Sequence, residues 1–210
     1  MYTSAGLRYV PNLLTVARIL VTPVLLVLLT VPSSAGQVSA VTLFVVASAS
    51  DYWDGVLARR LGVRSRLGQY LDPLADKILV LGTFAMLAAQ TPSLVPWWAV
   101  LLIAGRDVVV TGLRSWSEAH GQTLRTYRVA KGKTLLQLAF LFGILTLRAA
   151  TYGAPPVRQW ATWVLYDSSV PGIALAVVVG FTLATGALYV FAPAKERIED
   201  DETVRDGQHA

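Results

Sequence analysis

Residues 51–76 read DYWDGVLARRLGVRSRLGQYLDPLAD, and they contain four aspartates in a chain that is otherwise apolar and basic. If both ends of this stretch are helical, Asp51 and Asp54 share one helix face, and Asp72 and Asp76 share a face of the next helix. Four carboxylates that face one point repel one another, so a cation is expected among them. Oxygen ligands without Cys or His favour a hard ion, namely Mg²⁺, Mn²⁺ or Ca²⁺. We therefore expect the functional site here.

The composition indicates a membrane protein. Of the 210 residues, 54% are hydrophobic and 15% are charged, and the mean hydropathy is +0.54. Because the apolar residues form long runs, this balance predicts an all-α integral membrane protein with one helical domain. The net charge of +5 comes from basic residues that flank apolar runs, which fits topology signals and anionic lipid better than nucleic acid. The absence of cysteine excludes disulfides and thiolate metal sites.

The apolar runs predict about six transmembrane helices. These helices are expected at residues 11–31, 38–60, 68–90, 96–116, 131–147 and 170–191. An interfacial segment, residues 1–10, precedes them. Residues 149–169 are interpreted as interfacial because of Trp160, Trp163 and Tyr166. Residues 1–193 are expected to form the membrane domain, and residues 194–210 a charged, flexible cytoplasmic tail.

Basic residues predict the orientation of the bundle. They flank the connections after the second, fourth and sixth predicted helices, whereas the turns after the first and third carry no charge. The positive-inside rule then places both termini and the acidic site on the cytoplasmic side of the cell (inner) membrane.

The same half of the bundle holds basic residues on other helices. Acids that hold a metal and bases that hold phosphates are the ingredients of phosphoryl transfer. Gly55, Ala58 and Gly68 are small, so a ligand can approach the backbone beside the acids. Together these features predict a diphosphate substrate bridged by metal, with a carboxylate that deprotonates an acceptor hydroxyl. The basic candidates are Arg59, Arg106, Arg114, Lys131 and Lys133.

The aspartates belong to a longer pattern, D-x2-D-G-x2-A-R-x8-G-x3-D-x3-D. This pattern resembles the signature of the CDP-alcohol phosphatidyltransferases at eight fixed positions: Asp51, Asp54, Gly55, Ala58, Arg59, Gly68, Asp72 and Asp76. Further segments resemble the phosphatidylglycerophosphate synthases of that family. They are Pro11-Asn12 with Thr15 and Arg18, Asp72-Pro-Leu-Ala-Asp76-Lys77, Arg106-Asp107 with Gly112-Leu113-Arg114, and Lys131-Gly-Lys133-Thr134 with Gln137.

The resemblance implies a six-helix membrane domain, usually a homodimer. Such enzymes transfer a phosphatidyl group from CDP-diacylglycerol to an acceptor, here glycerol 3-phosphate, and release CMP. The resemblance assigns the metal, Mg²⁺ with Mn²⁺ as an alternative, to Asp51, Asp54 and Asp72, with Asp76 as general base and fourth ligand. It assigns donor binding to Asp54, Gly55, Ala58, Arg59 and Gly68. Candidates for the acceptor phosphate are Arg106, Arg114, Lys131 and Lys133.

Several residues also have structural interpretations. Asn12 and Thr15 either cap and anchor the first helix or join the site, and Arg18 either snorkels or points at an anionic group. Arg106 either pairs with Asp107 or binds phosphate, and the lysines also serve as topology signals. A stripe of small residues predicts a helix-packing face, within or between protomers: Gly172, Ala176, Gly180 and Ala184. His120 and His209 are not assigned as ligands.

The alternative functions differ from this one in the acceptor or in the class of protein. The sequence departs from the subfamily pattern at Asp107, where Glu is usual, and at Ala130, where Gly is usual. The same chemistry with inositol phosphate, serine or phosphatidylglycerol is one alternative. A membrane prenyltransferase also uses aspartates, Mg²⁺ and a diphosphate leaving group. A divalent-cation transporter is disfavoured because nearby lysines and arginines repel a permeating cation.

Overall fold

A computed structural model describes the backbone of residues 10–61, 66–120 and 129–191. Side chains are described for residues 15–50, 74–113, 115–117, 120, 132–188 and 191. Within these ranges the chain is helical apart from short turns, and no strand occurs there. The predicted interfacial segment, apart from Val10, and the predicted tail lie outside the described residues.

Most of the described residues lie in seven α-helices. They are α1 (Val10–Thr30), α2 (Ser34–Leu61), α3 (Arg66–Gln90), α4 (Trp97–Ala119), α5 (Val129–Ala150), α6 (Pro155–Thr162) and α7 (Val170–Phe191). A π-helical segment, Trp163–Asp167, joins α6 to α7. The six predicted helices correspond to α1–α5 and α7, with ends that differ by up to four residues. The all-helical prediction is therefore confirmed for the described part of the chain.

The turn between α1 and α2 is tighter than predicted. Gln37 was expected in the turn, but it lies in the first turn of α2 and is buried. Its Nε2 donates to the carbonyl oxygens of Leu29 and Val31, at 3.1 and 2.9 Å. These bonds satisfy carbonyl groups that the end of a helix leaves without intrahelical partners. Gly36 is needed beside them because a Cβ there would lie 2.9 Å from Val31.

The helices form a bundle in which α1 packs against α2 and α3, and α7 packs against α4 and α5. Its core is apolar and fully buried at Leu25, Phe84, Ile103 and Leu141. The rings of Phe84 and Phe140 stack with their centroids 5.8 Å apart. Burial of large apolar side chains between helices therefore holds the described part of the bundle together.

Polar contacts define the two ends of the bundle. At one end, Arg18 of α1 contacts Asp76 of α3, and Lys133 of α5 contacts Asp107 of α4. We call this the acidic end. At the opposite end, Arg148 of α5 donates to Gln90 of α3 at 2.7 Å. Helices α3 and α5 therefore run in the same direction. Helix α4, which lies between them in the sequence, runs in the opposite direction.

The outer faces of the helices are apolar, as in a membrane protein. Leu20 of α1 is 67% exposed and Val108 of α4 is 70% exposed. Two described segments are long and apolar enough to cross a membrane, Gly132–Ala150 in α5 and Val170–Leu188 in α7. Exposed apolar surface of this extent fits contact with lipid better than contact with water.

The segment between α5 and α7 does not resemble a crossing. Helix α6 has eight residues, about 12 Å of helix, which is too short to span a bilayer. Trp160, Trp163 and Tyr166 are exposed on α6 and the π-helical segment. Exposed aromatic residues at the end of a bundle are typical of a membrane interface.

The small-residue stripe of α7 does not pack within the described chain. Gly172, Ala176, Gly180 and Ala184 are all exposed. Among the described residues, no atom lies within 4 Å of a Cβ built at Gly172 or Gly180. The buried face of α7 instead carries larger side chains, Leu175, Val178, Thr182 and Thr185 among them. Of the two predicted uses of the stripe, packing within the protomer does not occur among the described residues.

Candidate active site

The signature aspartates lie on two consecutive helices that approach the acidic end. Asp51 and Asp54 lie in the second half of α2, and Asp72 and Asp76 lie in the first half of α3. Because α2 starts beside the C-terminal end of α1, its second half runs towards the acidic end. The backbone thus brings both halves of the signature to one end of the bundle.

Several predicted site residues fall outside the described side chains. They are Asn12, Asp51, Asp54, Gly55, Ala58, Arg59, Gly68, Asp72, Arg114 and Lys131. Among the described residues, no three Asp, Glu, His or Cys side chains come together as a metal site. The assignment of the metal and donor residues therefore stays a prediction.

Asp76 is held by an arginine from another helix. The Nη1 atom of Arg18 donates to Oδ1 of Asp76 at 2.7 Å. Arg18 is only 2% exposed, whereas the Asp76 side chain is 39% exposed. Arg18 is thus buried against α3 and does not snorkel to the interface. Of the two predicted roles for Arg18, the structure places it against an anionic group.

A second carboxylate, Asp107 of α4, joins α4 to α5. Its Oδ1 accepts from Nζ of Lys133 at 2.6 Å and from Nη1 of Arg106 at 3.2 Å. The three side chains are about nine-tenths buried. A buried ionic contact is sensitive to loss of one partner, because the remaining charge then stays buried without compensation, at a cost of about 3–5 kcal/mol. The Arg106–Asp107 pair that the sequence left as an alternative is therefore present.

Arg106 also holds α4 against α7. Its Nε donates to the carbonyl oxygen of Thr182 at 3.1 Å, and its Nη2 donates to Oγ1 of Thr185 at 3.2 Å. Gly186 leaves room for the arginine, since a Cβ there would lie 2.7 Å from Cγ of Arg106. Gln137 of α5 donates to Oγ1 of Thr182 at 3.3 Å and extends the network. Sequence reasoning did not identify these α7 residues because nothing in their local pattern marks them.

One cavity at the acidic end brings the predicted base and a predicted phosphate ligand together. Its volume is about 170 Å³, and its lining includes Asp76, Lys77, Asp107, Lys133, Thr134 and Gln137. Asp76 and Lys133 come from α3 and α5, so the fold joins residues that are far apart in the sequence. Arg106 is not among its lining residues. Lys77, Thr134 and Gln137 belong to segments that resemble the phosphatidylglycerophosphate synthases, but the sequence alone predicts no role for them.

The chemistry of this cavity suits a small, polar, anionic molecule. A volume of about 170 Å³ is below the range of about 300 Å³ and more that drug-sized ligands occupy. A partly exposed carboxylate can accept a proton from a hydroxyl, and the ammonium group of lysine is a common ligand of phosphate.

The family is shown by comparison with known proteins. The model of the CDP-alcohol phosphatidyltransferase family matches residues 8–188. The chain therefore belongs to that family, and it is a transferase.

Three curated relatives are named CDP-diacylglycerol–glycerol-3-phosphate 3-phosphatidyltransferase. The protein from Rickettsia typhi is 33% identical over 184 residues, which cover 87% of this chain and 96% of the relative. That from Rickettsia prowazekii is 34% identical over 183 residues, or 87% of this chain and 93% of the relative. That from Bacillus subtilis is 32% identical over 147 residues, or 64% of this chain and 75% of the relative.

Proposed function

We propose that this protein transfers a phosphatidyl group from CDP-diacylglycerol to glycerol 3-phosphate and releases CMP. The three relatives carry the name of this reaction. The observation that supports it most directly is the cavity shared by Asp76 and Lys133. A carboxylate and an ammonium in one small cavity match an acceptor that has a hydroxyl to be deprotonated and a phosphate to be bound.

The proposed reaction is one displacement at phosphorus. The acceptor hydroxyl oxygen attacks the phosphorus that bears the diacylglycerol, and its proton passes to the Asp76 carboxylate. The bond from that phosphorus to the bridging oxygen of the diphosphate breaks, and CMP leaves with the electron pair. Arg18 holds Oδ1 of Asp76 at 2.7 Å, which restricts the orientation of the base.

A divalent cation fits the residues of the signature. Asp51, Asp54 and Asp72, with Asp76 as a fourth ligand, would hold Mg²⁺ or Mn²⁺, because their carboxylate oxygens are hard ligands carried by neighbouring helices. When bound, such an ion polarises phosphoryl oxygens and compensates their negative charge. Gly55, Ala58, Arg59 and Gly68 would surround the nucleotide of the donor.

We assign binding of the acceptor phosphate to lysine and arginine side chains at the acidic end of the bundle. Lys133 lines the cavity directly, and Lys131 and Arg114 stay candidates from the sequence. We assign Arg106 an indirect part, because its described contacts are to Asp107, Thr182 and Thr185. It would hold Asp107, which in turn holds Lys133.

We propose that residues 1–193 form one membrane domain with six crossings. The long helices α1–α5 and α7 would cross, the acidic end would face the cytoplasm with both termini, and residues 194–210 would form the tail. The exposed apolar faces of α1, α4, α5 and α7 support several crossings. Association as a homodimer is part of the same proposal.

The experiment is CMP release by the purified protein in detergent. It would be given CDP-diacylglycerol, Mg²⁺ and one acceptor at a time: glycerol 3-phosphate, inositol phosphate, serine or phosphatidylglycerol. We expect release with glycerol 3-phosphate and its loss when EDTA removes the metal. Release only with another acceptor would contradict the proposed substrate. Release that persists in EDTA would contradict the metal site.

A further inference from the structure

We propose that Lys77 is a further binding residue for the phosphate of the acceptor. This inference rests on the proposed function, because it names an additional ligand in the same cavity. Lys77 directly follows Asp76 on α3, and it lines the cavity together with Lys133 of α5. Two ammonium groups from different helices thus border one small space beside the proposed base.

Lys77 has no acidic partner among the described residues. Its Nζ donates to the neutral hydroxyl of Thr111 on α4, at 2.7 Å. By contrast, the other described cations at the acidic end each contact a carboxylate: Arg18 contacts Asp76, and Arg106 and Lys133 contact Asp107. A hydroxyl cannot compensate a full positive charge, so the ammonium of Lys77 is the cation best placed to bind an incoming anion.

The charges around the cavity match a phosphate monoester. Among the described contacts, the carboxylates of Asp76 and Asp107 pair with Arg18, Arg106 and Lys133, and the ammonium of Lys77 contacts only a hydroxyl. The ammonium groups of Lys77 and Lys133 line the same small cavity, so their like charges repel. A phosphate monoester carries a charge of about −1.5 to −2 at pH 7, so its binding between the two lysines would compensate the charge of Lys77 and offset the repulsion between the ammonium groups.

A purely structural role is the alternative. In that case the bond from Lys77 to Thr111 would tie α3 to α4, and the ammonium would contribute nothing to the acceptor. The two roles predict different results for Thr111. If Lys77 only connects α3 to α4, removing the side chain of either Lys77 or Thr111 should have the same effect. Thr111 is therefore the matched control: Thr111→Val removes the hydroxyl, keeps the size of the side chain and leaves the charge of Lys77.

The experiment measures steady-state CMP release by Lys77→Met, Lys77→Arg and Thr111→Val with varied glycerol 3-phosphate and varied donor. We expect Lys77→Met to raise the acceptor KM about ten- to hundredfold, the effect of losing one hydrogen bond to a charged group, and to leave the donor KM nearly unchanged. Lys77→Arg should restore much of the acceptor affinity because it keeps the charge. Thr111→Val should keep an acceptor KM close to that of the natural protein.

A phosphate-free acceptor gives a second readout. If Lys77 binds the phosphate, Lys77→Met should equal the natural protein in CMP release with glycerol at high concentration, because glycerol has no phosphate to bind. Inorganic phosphate should inhibit the natural protein in competition with the acceptor, and inhibit Lys77→Met more weakly. Lys77→Gln serves the same purpose if Lys77→Met does not purify as a folded protein.

Two results would overturn the inference while leaving the proposed function intact. One is an unchanged acceptor KM in Lys77→Met, with the natural protein active on glycerol 3-phosphate. The other is an equal loss in Thr111→Val and Lys77→Met, which would assign Lys77 to the α3–α4 contact. If the natural protein released no CMP with glycerol 3-phosphate, the proposed function and this inference would fail together.

Discussion

At the scale of single residues, Asp76 and Arg18 form the contact on which the proposed chemistry depends. Arg18 is buried and reaches Asp76 across the α1–α3 contact, so the carboxylate is held by a group outside its own helix. A base held in this way does not need to reorient before each turnover, which is how positioning residues assist a reaction.

Asp76→Asn should nearly abolish turnover while leaving metal-dependent binding of the donor measurable. The amide keeps the size of the side chain but accepts no proton from the acceptor hydroxyl. The measurements are kcat from CMP release and donor affinity from equilibrium binding. A comparable loss of donor binding would make Asp76 chiefly a metal ligand.

Arg18→Met should lower kcat about a hundredfold, the order of effect expected when a reacting group is misplaced by about 1 Å. The donor KM should change little, and Arg18→Lys should recover part of kcat because it keeps a donor for Asp76. Arg158→Met is the control, since Arg158 is exposed and donates only to the Gly153 carbonyl oxygen among its described contacts. Equal kcat in Arg18→Met and the natural protein would remove Arg18 from the site.

The sequence predicts some of these residues better than others. It identifies Asp76 and Lys133 because they belong to motifs with fixed spacing, and the structure places both at one cavity. It does not predict the orientation of Arg106, because that depends on the space left by Gly186, which lies 80 positions further along the chain. Local patterns carry no information about which distant helix supplies such a space.

At the scale of the helices, the structure shows a contact between α4 and α7 that the sequence does not predict. Gly186→Ala should destabilise the protein by about 1–3 kcal/mol, because its Cβ would overlap Cγ of Arg106 and force the guanidinium away from Thr182 and Thr185. The measurement is the midpoint of thermal unfolding in detergent.

Gly143→Ala in α5 is the control, because no described atom lies within 4 Å of a Cβ built there. Alanine has the higher helix propensity, so this variant should unfold at the same temperature or slightly higher. Equal midpoints for the two variants would show that Arg106 does not depend on the gap at Gly186.

Helix positions follow from the apolar runs, whereas two details of the connections do not. Helix α2 starts before Gln37, a polar residue expected in the turn, and the structure buries the Gln37 side chain because its amide donates to carbonyl oxygens at the end of α1. Residues 149–169 lack a long apolar run, so the sequence predicts an interfacial segment but not its division into α6 and the π-helical segment. Tertiary contacts, rather than local propensity, decide both cases.

At the scale of the whole molecule, the orientation of the bundle can be tested because the chain contains no cysteine. Single cysteines can therefore be placed at exposed positions of opposite ends, Ser93→Cys in the turn before α4 and His120→Cys after α4. A membrane-impermeant maleimide should label Ser93→Cys in intact cells and label His120→Cys only after permeabilisation. The reverse pattern would place the acidic end outside the cytoplasm and contradict the positive-inside prediction.

We propose that the acidic end joins glycerol 3-phosphate to a phosphatidyl group. The most direct measurement follows glycerol 3-phosphate that is labelled in both its carbon and its phosphorus. Purified protein would receive this acceptor with CDP-diacylglycerol and Mg²⁺, and the lipid extract would be analysed by mass spectrometry. We predict one lipid product that carries both labels and matches the released CMP one to one. CMP release without labelled lipid, or no release by folded protein, would contradict the proposed transfer to glycerol 3-phosphate.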